Sequence, residues 1–347
     1  MPATIADQIK ALVDGRSLGA DGAAATLALI LDGGCPPEQV AGFLTALAAK
    51  GPTTEELVGL LDAMSARAVP LELPTEVLDR AVDVVGTGGD SLGSINVSTI
   101  AGLVVAGTGV PVVKHGSRKA SSLVGAADLL ETLGVAIAPD PEVVARCVVE
   151  AGFGFCFAPM FHPALAAVAP VRAALGIRTV FNYLGPMANP ARVRHLLLGV
   201  SDPLLVDVMA VVVAERGARR VIVVRGDDGL DEVSVSGATR VVTATCDATG
   251  LVEISASTVS PGPLGIATWP LEAIRGGDRR HNADVARSVL DGDRGAPRDV
   301  VVLNAAAALV AAGKCSTIKE GIADAVESID SKSAARVLAD VVRLSGG

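Results

Sequence analysis

The spacing of apolar side chains divides the chain into two parts. As far as about residue 70, apolar residues recur at intervals of three and four positions, as in the series Val40, Phe43, Leu44 and Leu47. That spacing places them on one face of a helix. No run in this part is typical of a strand, so the sequence predicts a small all-helical domain over residues 1–70.

From residue 82 onward, short apolar runs alternate with helical patterns. Strands that alternate with helices predict a mostly parallel sheet with helices on both faces. The predicted strands cover residues 82–85, 112–114, 153–158, 196–200 and 220–224, and the predicted helices between them cover residues 98–107, 126–133, 140–152, 163–175 and 204–216.

Residues 233–268 interrupt this alternation. Short runs at 233–236, 239–243 and 251–255 predict an antiparallel hairpin group, and helical patterns return at 282–290 and 299–312. The expected fold class is therefore α/β. It combines the helical domain of residues 1–70 with a larger domain, residues 75–347, that has a mostly parallel central sheet and C-terminal helices. We expect the segment near 163–190 to pack with the helical domain.

Charge and composition narrow the class of ligand. The 347 residues carry a formal net charge of −9 and include one Trp, one Tyr and six Phe. A surface that binds nucleic acid needs basic residues and, for single strands, aromatic ones, so no nucleic acid is expected as a partner. No apolar stretch is long enough to span a bilayer, and no signal peptide is indicated. We therefore expect no membrane partner and a cytoplasmic location.

A glycine-rich turn, G-T-G-G-D at residues 86–90, follows the first predicted strand. The absent Cβ atoms let a ligand approach the backbone closely. The helix behind the turn begins near Ser98 and Thr99, and a helix N-terminus favours an anion. The turn matches neither of the two common phosphate fingerprints, and a purely structural turn would look the same.

A second polar cluster, K-H-G-S-R at residues 114–118, decides between these interpretations. It follows the next predicted strand. In a parallel sheet the carboxyl ends of neighbouring strands lie at the same edge, where such sheets bind ligands. One turn offers N–H groups and the other offers cations, so together they predict a phosphate site.

An acidic run at residues 226–232 follows the strand predicted at 220–224. In isolation it is typical of a solvated turn. Because it comes after a fully apolar strand, we expect it at the same edge as the glycine turn. Asp231 and Glu232 offer hard oxygen ligands of the kind that Mg²⁺ takes together with substrate phosphates.

These motifs resemble the anthranilate phosphoribosyltransferase family. The resemblance rests on G-T-G-G-D, N-x-S-T at 96–99, K-H-G-x-R at 114–118, F-N-x-L-G-P-x-x-N-P at 181–190 and D-G-L-D-E at 228–232, and it extends over most of the chain. It implies the nucleoside phosphorylase and phosphoribosyltransferase type of fold. It also implies transfer of the 5-phosphoribosyl group from phosphoribosyl diphosphate to the amine of anthranilate, with release of diphosphate, in tryptophan biosynthesis. Mg²⁺ as cofactor and a homodimer are further implications.

The resemblance assigns three sets of residues to the site. The phosphoribosyl diphosphate set comprises Gly86, Thr87, Gly88, Gly89, Asp90, Ser94, Asn96, Ser98, Thr99 and Lys114. The set for the aromatic acceptor comprises Gly86, His115, Ser117, His162 and Arg172, where Arg172 is expected to bind the acceptor's carboxylate. The metal set comprises Ser98, Asp231 and Glu232. For His162 a structural role is the stronger expectation.

The chain departs from the family's pattern at the acceptor and phosphate motifs. Ser117 replaces an asparagine, and Ser91 and Ser94 replace a glycine and a threonine. A serine cannot reproduce the two-sided contact of an amide, so a relative that acts on another aromatic acid is one alternative. A nucleoside phosphorylase and a non-catalytic nucleic-acid-binding relative are two others. The intact D-G-L-D-E disfavours the former, and the acidic charge disfavours the latter.

Overall fold

The computed structural model describes residues 4–89, 92–118, 124–247 and 249–347. Its internal contacts divide the chain into two compact units. Unit 1 comprises Met1–Pro70 and Ala158–Pro190, and unit 2 comprises Leu71–Phe157 and Ala191–Gly347. Asp90, which the sequence assigns to the phosphate set, and Ser91 lie outside the described residues.

The elements follow one another in this order along the chain. The helices are α1 Ile5–Val13, α2 Gly19–Leu31, α3 Pro37–Lys50, α4 Thr54–Ser65, α5 Thr75–Leu78, α6 Val97–Gly107, α7 Ala126–Thr132, α8 Pro141–Ala151, α9 Ala158–Phe161, α10 Ala169–Leu175, α11 Phe181–Met187, α12 Val206–Glu215, α13 Arg279–Leu290, α14 Ala296–Ala311, α15 Ile318–Asp330 and α16 Ser333–Ser345. The strands are β1 Val82–Gly86, β2 Val112–Gly116, β3 Phe153–Phe157, β4 His195–Gly199, β5 Arg220–Gly226, β6 Thr239–Cys246 and β7 Val252–Val259. Short 3₁₀ helices cover Pro163–Ala167, Gly262–Leu264 and Leu271–Ile274.

Unit 1 is helical, as the apolar spacing predicts. Thr53 and Glu56 form a capping box that starts α4, because each side chain bonds the other's backbone N–H. The core of this unit is made of the apolar stripes of its helices, among them Phe43, Leu44 and Leu57, which are fully buried. Burial of these stripes is the main force that holds short helices together.

Unit 2 is built on a mostly parallel sheet, which confirms the predicted fold class. Within the described residues the strand order is β3-β2-β1-β4-β5-β6-β7. The first five strands run parallel, while β6 and β7 are antiparallel to their neighbours. The C-terminal helix α14 is buried nearly all round and packs against α6 and α15. Such a helix has no polar face because it has no solvent side.

Residues 233–236 do not form the predicted strand. Val233 and Val235 are buried, which explains the strand-like alternation of the sequence. The backbone of Val233 is bonded by a side chain instead: its N–H donates to Asn304 Oδ1 at 2.8 Å, and its carbonyl accepts from Asn304 Nδ2 at 3.0 Å. The Asn304 side chain thus bonds the backbone groups of Val233 that a neighbouring strand would otherwise pair with.

The helix predicted at 163–175 is two elements, Pro163–Ala167 and α10, which meet at Val168. Pro170 accounts for the interruption, since it lacks an N–H and disfavours helical backbone in the residue before it. The helix expected to begin near Ser98 and Thr99 begins one residue earlier, at Val97. Asn96 is the N-cap residue, and its side chain makes no capping bond.

Among the described residues, no helix combines the length and the apolar character that crossing a membrane requires.

Candidate functional site

The sheet of unit 2 has its topological switch point between β1 and β4. From β1 the chain proceeds to β2 and β3 on one side, and β4 and β5 lie on the other. At the carboxyl ends of the two central strands, Gly86 pairs with Gly199. The crevice outside such a point is where open α/β sheets bind ligands. The candidate site is therefore the edge of the sheet around Gly86 and Gly199.

Asp231 lies directly on these two glycines. A Cβ atom on Gly199 would come 1.7 Å from the carbonyl oxygen of Asp231, and one on Gly86 would come 2.5 Å from its Oδ2. Any larger residue at either position would displace Asp231. The glycines thus let the acidic turn reach the switch point, which places Asp231 where the sequence predicts it, beside the glycine turn.

The glycine turn is tied to the acidic turn and to the end of β4. The Gly88 N–H donates to Asp231 Oδ2 at 2.7 Å. Gly88 and Gly89 have positive φ values of 63° and 78°, which favour glycine. Ser201 donates its hydroxyl to the Gly88 carbonyl at 2.8 Å, and the Thr87 hydroxyl accepts from the Ser201 N–H at 3.3 Å. Thr87 and Gly88 are therefore held by hydrogen bonds from both sides.

The N-terminus of α6 is capped from within the protein. The Ser98 N–H donates to Glu232 Oε1 at 3.1 Å, and the Thr99 N–H donates to the Asn96 carbonyl at 3.2 Å. These two N–H groups are therefore already bonded. At Ser98 a carboxylate occupies the place that suits an anion, and at Thr99 a backbone carbonyl accepts. Thr99 is also almost fully buried, whereas Ser98 and Asn96 are partly exposed.

Ser94 lies at the same edge, where it forms an isolated antiparallel bridge with Arg275. Both residues line a small cavity of about 90 Å³ together with Leu92, Leu230, Leu271, Glu272 and Ile274. This cavity is next to the acidic turn, since Leu230 directly precedes Asp231.

Lys114 carries its charge beneath this edge. The side chain is 2% exposed, and its ammonium donates to the Val84 carbonyl at 2.5 Å and to Ser98 Oγ at 3.2 Å. Burial lowers the pKa of Lys114, and the carboxylates of Asp83 and Glu232 act in the opposite direction. The sequence places Lys114 among phosphate ligands, whereas the described contacts direct it at the Ser98 hydroxyl.

The predicted metal set, Ser98, Asp231 and Glu232, is brought together in unit 2. Asp231 and Glu232 are largely buried, at 8% and 9% exposure, and their oxygens accept from the Gly88 and Ser98 N–H groups. Among the described residues, no group of three or more His, Cys, Asp or Glu side chains is arranged to hold a metal ion. Two carboxylates and a hydroxyl are a donor set that suits Mg²⁺, which completes its shell with water and substrate phosphates.

The K-H-G-S-R segment divides into a buried and an exposed part. His115 is buried, and its N–H donates to the carboxylate of Asp83 at 3.3 Å. Ser117 is exposed. Arg118 is held by ion pairs with Asp128 at 3.1 Å and Glu131 at 2.7 Å. Ser117 is thus the member of the segment whose side chain is open to solvent beside a fixed arginine.

Arg172 lies in unit 1, on α10. Its guanidinium stands over the ring of Phe181 at 5.1 Å from the centroid, and burial lowers its pKa from the ordinary value. Among the described residues it has no ion pair. A half-buried guanidinium that stacks on a ring and lacks an acidic partner is suited to a carboxylate.

His162, also in unit 1, is buried, and its Nε2 bonds the Ala188 carbonyl at 2.9 Å. Burial lowers the pKa of His162, so the ring is neutral at pH 7. A neutral ring fixed to the backbone fits the structural role that the sequence favoured over acceptor binding. Asn182 likewise fixes a turn, because its Oδ1 accepts from the Thr179 N–H at 3.0 Å.

Three residues escaped sequence analysis: Gly199 and Ser201 at the edge, and Asn304, which bonds the backbone of Val233 directly after the acidic turn. Gly199 ends the fourth strand and Ser201 follows it, so a search for small residues at the end of each strand would have found them. Asn304 offered no such signal, because it lies within an apolar helix 71 residues from Val233, which it bonds.

The helical unit and the α/β unit that carries this edge each match a glycosyl transferase family. Residues 78–335 match the family described as glycosyl transferase family, a/b domain. Residues 6–68 match the glycosyl transferase family, helical bundle domain.

Individual relatives show which family within this class the chain is similar to. The anthranilate phosphoribosyltransferase of Thermomicrobium roseum is 47% identical over 330 residues, which are 95% of this chain and 94% of that protein. The crystal structure of the Thermus thermophilus enzyme of the same name has a TM-score of 0.89 and 41% identity, and the match covers 98% of this chain and 100% of that one.

The Saccharomyces cerevisiae enzyme, solved with phosphoribosyl diphosphate and Mg and also with 4-fluoroanthranilate, has a TM-score of 0.87 at 29% identity, covering 100% of this chain and 99% of that one. The chain belongs to the anthranilate phosphoribosyltransferase family.

Proposed function

We propose that this chain transfers the 5-phosphoribosyl group from phosphoribosyl diphosphate to the amine of anthranilate and releases diphosphate. One observation carries the proposal. Asp231 and Glu232 accept hydrogen bonds from Gly88 and Ser98, so one acidic turn joins the glycine turn to the start of α6 at the switch point. The family relationship supports the same reaction.

The diphosphate is proposed to lie against the glycine turn of residues 86–90. Ser94, Asn96 and Ser98 are proposed to contact its oxygens, since their side chains are partly exposed at this edge. Lys114 supports the site from beneath through its bond to Ser98. The phosphoribosyl roles of Thr87, Thr99 and Asp90 stay predictions.

Ser98, Asp231 and Glu232 are proposed to hold Mg²⁺, which offsets the charge that develops on the diphosphate leaving group. The chain's own contribution is to hold the two carboxylates at the switch point and to orient the turn that faces the diphosphate. No protein nucleophile is needed, because the amine of the acceptor attacks the ribose carbon as the bond to diphosphate breaks, and the amine then releases one proton. Positioning and electrostatic stabilisation then supply the catalysis.

Arg172 is proposed to bind the carboxylate of the acceptor. Support comes from its stacked guanidinium without an ion pair in the described part of the chain. Ser117 supports a second candidate, a transferase for another aromatic acid, because its exposed short side chain stands where relatives have an asparagine. Roles for Gly86, His115 and His162 at the acceptor stay predictions.

The proposal is tested by measuring diphosphate release from phosphoribosyl diphosphate and Mg²⁺, with and without anthranilate. We expect release that depends on anthranilate. Release with another aromatic acid but not with anthranilate would assign the difference to the acceptor site. In that case Ser117→Asn should create activity with anthranilate. Absence of release with every acceptor would overturn the proposed reaction.

The domain limits 1–70 and 75–347, the homodimer and the cytoplasmic location also stay predictions. Sedimentation of the purified chain over a range of concentrations measures the oligomeric state directly.

A further inference from the structure

Asn282 is a buried polar residue that the proposed reaction does not use. It lies in the first turn of α13 and is 2% exposed. Its Nδ2 donates to Asn96 Oδ1 at 2.9 Å, and its Oδ1 accepts from the Gly277 N–H at 2.8 Å. Both ends of the amide are therefore bonded, one of them to a residue of the proposed phosphate site 186 positions away.

Asn96 is fixed from two sides in the same way. Its Oδ1 accepts from Asn282, and its Nδ2 donates to the Val124 carbonyl at 2.8 Å. Asn96 makes no capping bond to α6, so its side chain is oriented by these two contacts and not by the helix. Without Asn282, the Asn96 side chain keeps, of these two contacts, the one to Val124.

The loop before α13 reinforces this arrangement. The Ile95 N–H donates to the Ile274 carbonyl at 3.0 Å, and the Gly276 N–H donates to the Gly93 carbonyl at 2.8 Å. A Cβ atom on Gly276 would lie 2.7 Å from the Ser94 carbonyl oxygen, so only glycine allows the two segments to approach this closely. Through Gly277, Asn282 fastens this loop and the segment 93–96 to α13.

We propose that Asn282 is a positioning residue that holds Asn96, and with it the segment 93–96, in the geometry that binds the phosphates of phosphoribosyl diphosphate. The inference rests on the proposed function and adds to it a residue 186 positions after Asn96 in the chain. It does not require Asn282 to touch the substrate, because Asn282 is 2% exposed and acts through its bond to Asn96.

The first test is the affinity for phosphoribosyl diphosphate, measured by calorimetry with Mg²⁺ and no acceptor. Asn282→Ala removes both bonds and should weaken binding about tenfold, the range expected when an interaction of this kind is lost. In turnover assays the KM for phosphoribosyl diphosphate should rise by a similar factor, and the KM for the acceptor should change less than about twofold.

Asn282→Asp is the second variant, chosen because it preserves shape and the bond from Gly277. It replaces the donor to Asn96 with a carboxylate oxygen, so it should weaken binding at least as much as alanine does. Ser328→Ala is the matched control. Ser328 is buried and donates to the Val104 carbonyl in the other half of α6 at 2.7 Å. Its loss should lower thermal stability and leave the affinity unchanged.

A double-mutant cycle with Asn96→Ala tests whether Asn282 acts through Asn96. On that background, Asn282→Ala should weaken binding less than twofold further. Full multiplication of the two effects would overturn the inference, and so would an Asn282→Ala protein that loses stability as Ser328→Ala does but binds normally.

Failure of the proposed reaction has a different signature. A wild-type protein that binds phosphoribosyl diphosphate but releases no diphosphate with any acceptor would overturn the proposed reaction. The effect of Asn282→Ala on binding could still be measured in that case. A wild-type protein that does not bind phosphoribosyl diphosphate would overturn both.

Discussion

Among the individual residues of the site, the buried ionisable side chains of Lys114 and Glu232 each have hydrogen-bond partners. Lys114 has its ammonium bonded to Val84 and Ser98 and is 2% exposed. Glu232 is mostly buried and accepts from Ser98. A cation and an anion thus meet at one serine, and the low dielectric of the interior makes each interaction stronger than it would be in water.

The metal assignment leads to a residue-scale prediction. Glu232→Gln keeps an acceptor for the Ser98 N–H and removes one negative charge, so the Mg²⁺ concentration for half-maximal diphosphate release should rise about tenfold or more. The measurement is a Mg²⁺ titration at saturating substrates. Asp227→Asn is the control, because it removes the same charge from an exposed position of the same turn. An unchanged titration for Glu232→Gln would contradict the assignment.

At the scale of elements, the capping box of α4 also connects its neighbours. Glu56 is fully buried, and it accepts from Lys50 Nζ at 2.8 Å and from the Leu18 N–H at 3.0 Å in addition to the Thr53 N–H. The motif therefore joins the start of α4 to the end of α3 and the start of α2. The sequence indicates the box, whereas its role as a connection depends on packing.

Glu56→Ala should destabilise the helical unit by about 3–5 kcal/mol, because it removes the anionic partner of the Lys50 ammonium, which is 10% exposed and keeps only the Gly51 carbonyl as an acceptor among the described contacts. Urea unfolding followed by circular dichroism measures the change. The neighbouring Glu55 is exposed, so Glu55→Gln should have little effect. Equal destabilisation by both variants would show that helix charge, and not the buried connection, accounts for the loss.

At the scale of the whole molecule, two buried histidines link folding to pH. His162 lies in unit 1 and His195 in unit 2, and burial lowers the pKa of both from the ordinary value of 6.5. Between the lowered pKa and 6.5 the unfolded chain binds more protons than the folded one. The free energy of unfolding therefore falls as pH decreases through this window.

We expect the thermal midpoint of unfolding to be lower at pH 5 than at pH 7.5. This decrease should be smaller in the double variant His162→Gln and His195→Gln. Glutamine retains a donor for the backbone carbonyls that the histidines contact. His162 Nε2 contacts the Ala188 carbonyl, and His195 Nε2 contacts the Asp79 carbonyl. His281→Gln, at an exposed position of α13, should leave the acid dependence as it is in the wild type. The same pH dependence in the double variant and the wild type would exclude these histidines as its source.

Elements whose burial follows a simple period could be predicted from the sequence. The helical stripes of unit 1 and the apolar parallel strands appear where the spacing predicts them, because each element buries a face that its own residues define. The glycine turn and the acidic turn were also found, since turn and ligand chemistry depend on a few adjacent residues.

Features that depend on residues far apart in the chain became visible only in the folded protein. Alternating valines at 233–236 predicted a strand, but Asn304 satisfies that backbone from another helix. Glu232 accepts a hydrogen bond from the Ser98 N–H at the start of α6. Asn282 orients Asn96, which lies 186 positions away in the chain. Local patterns report which groups need a hydrogen-bond partner, and only the folded chain determines which distant group supplies it.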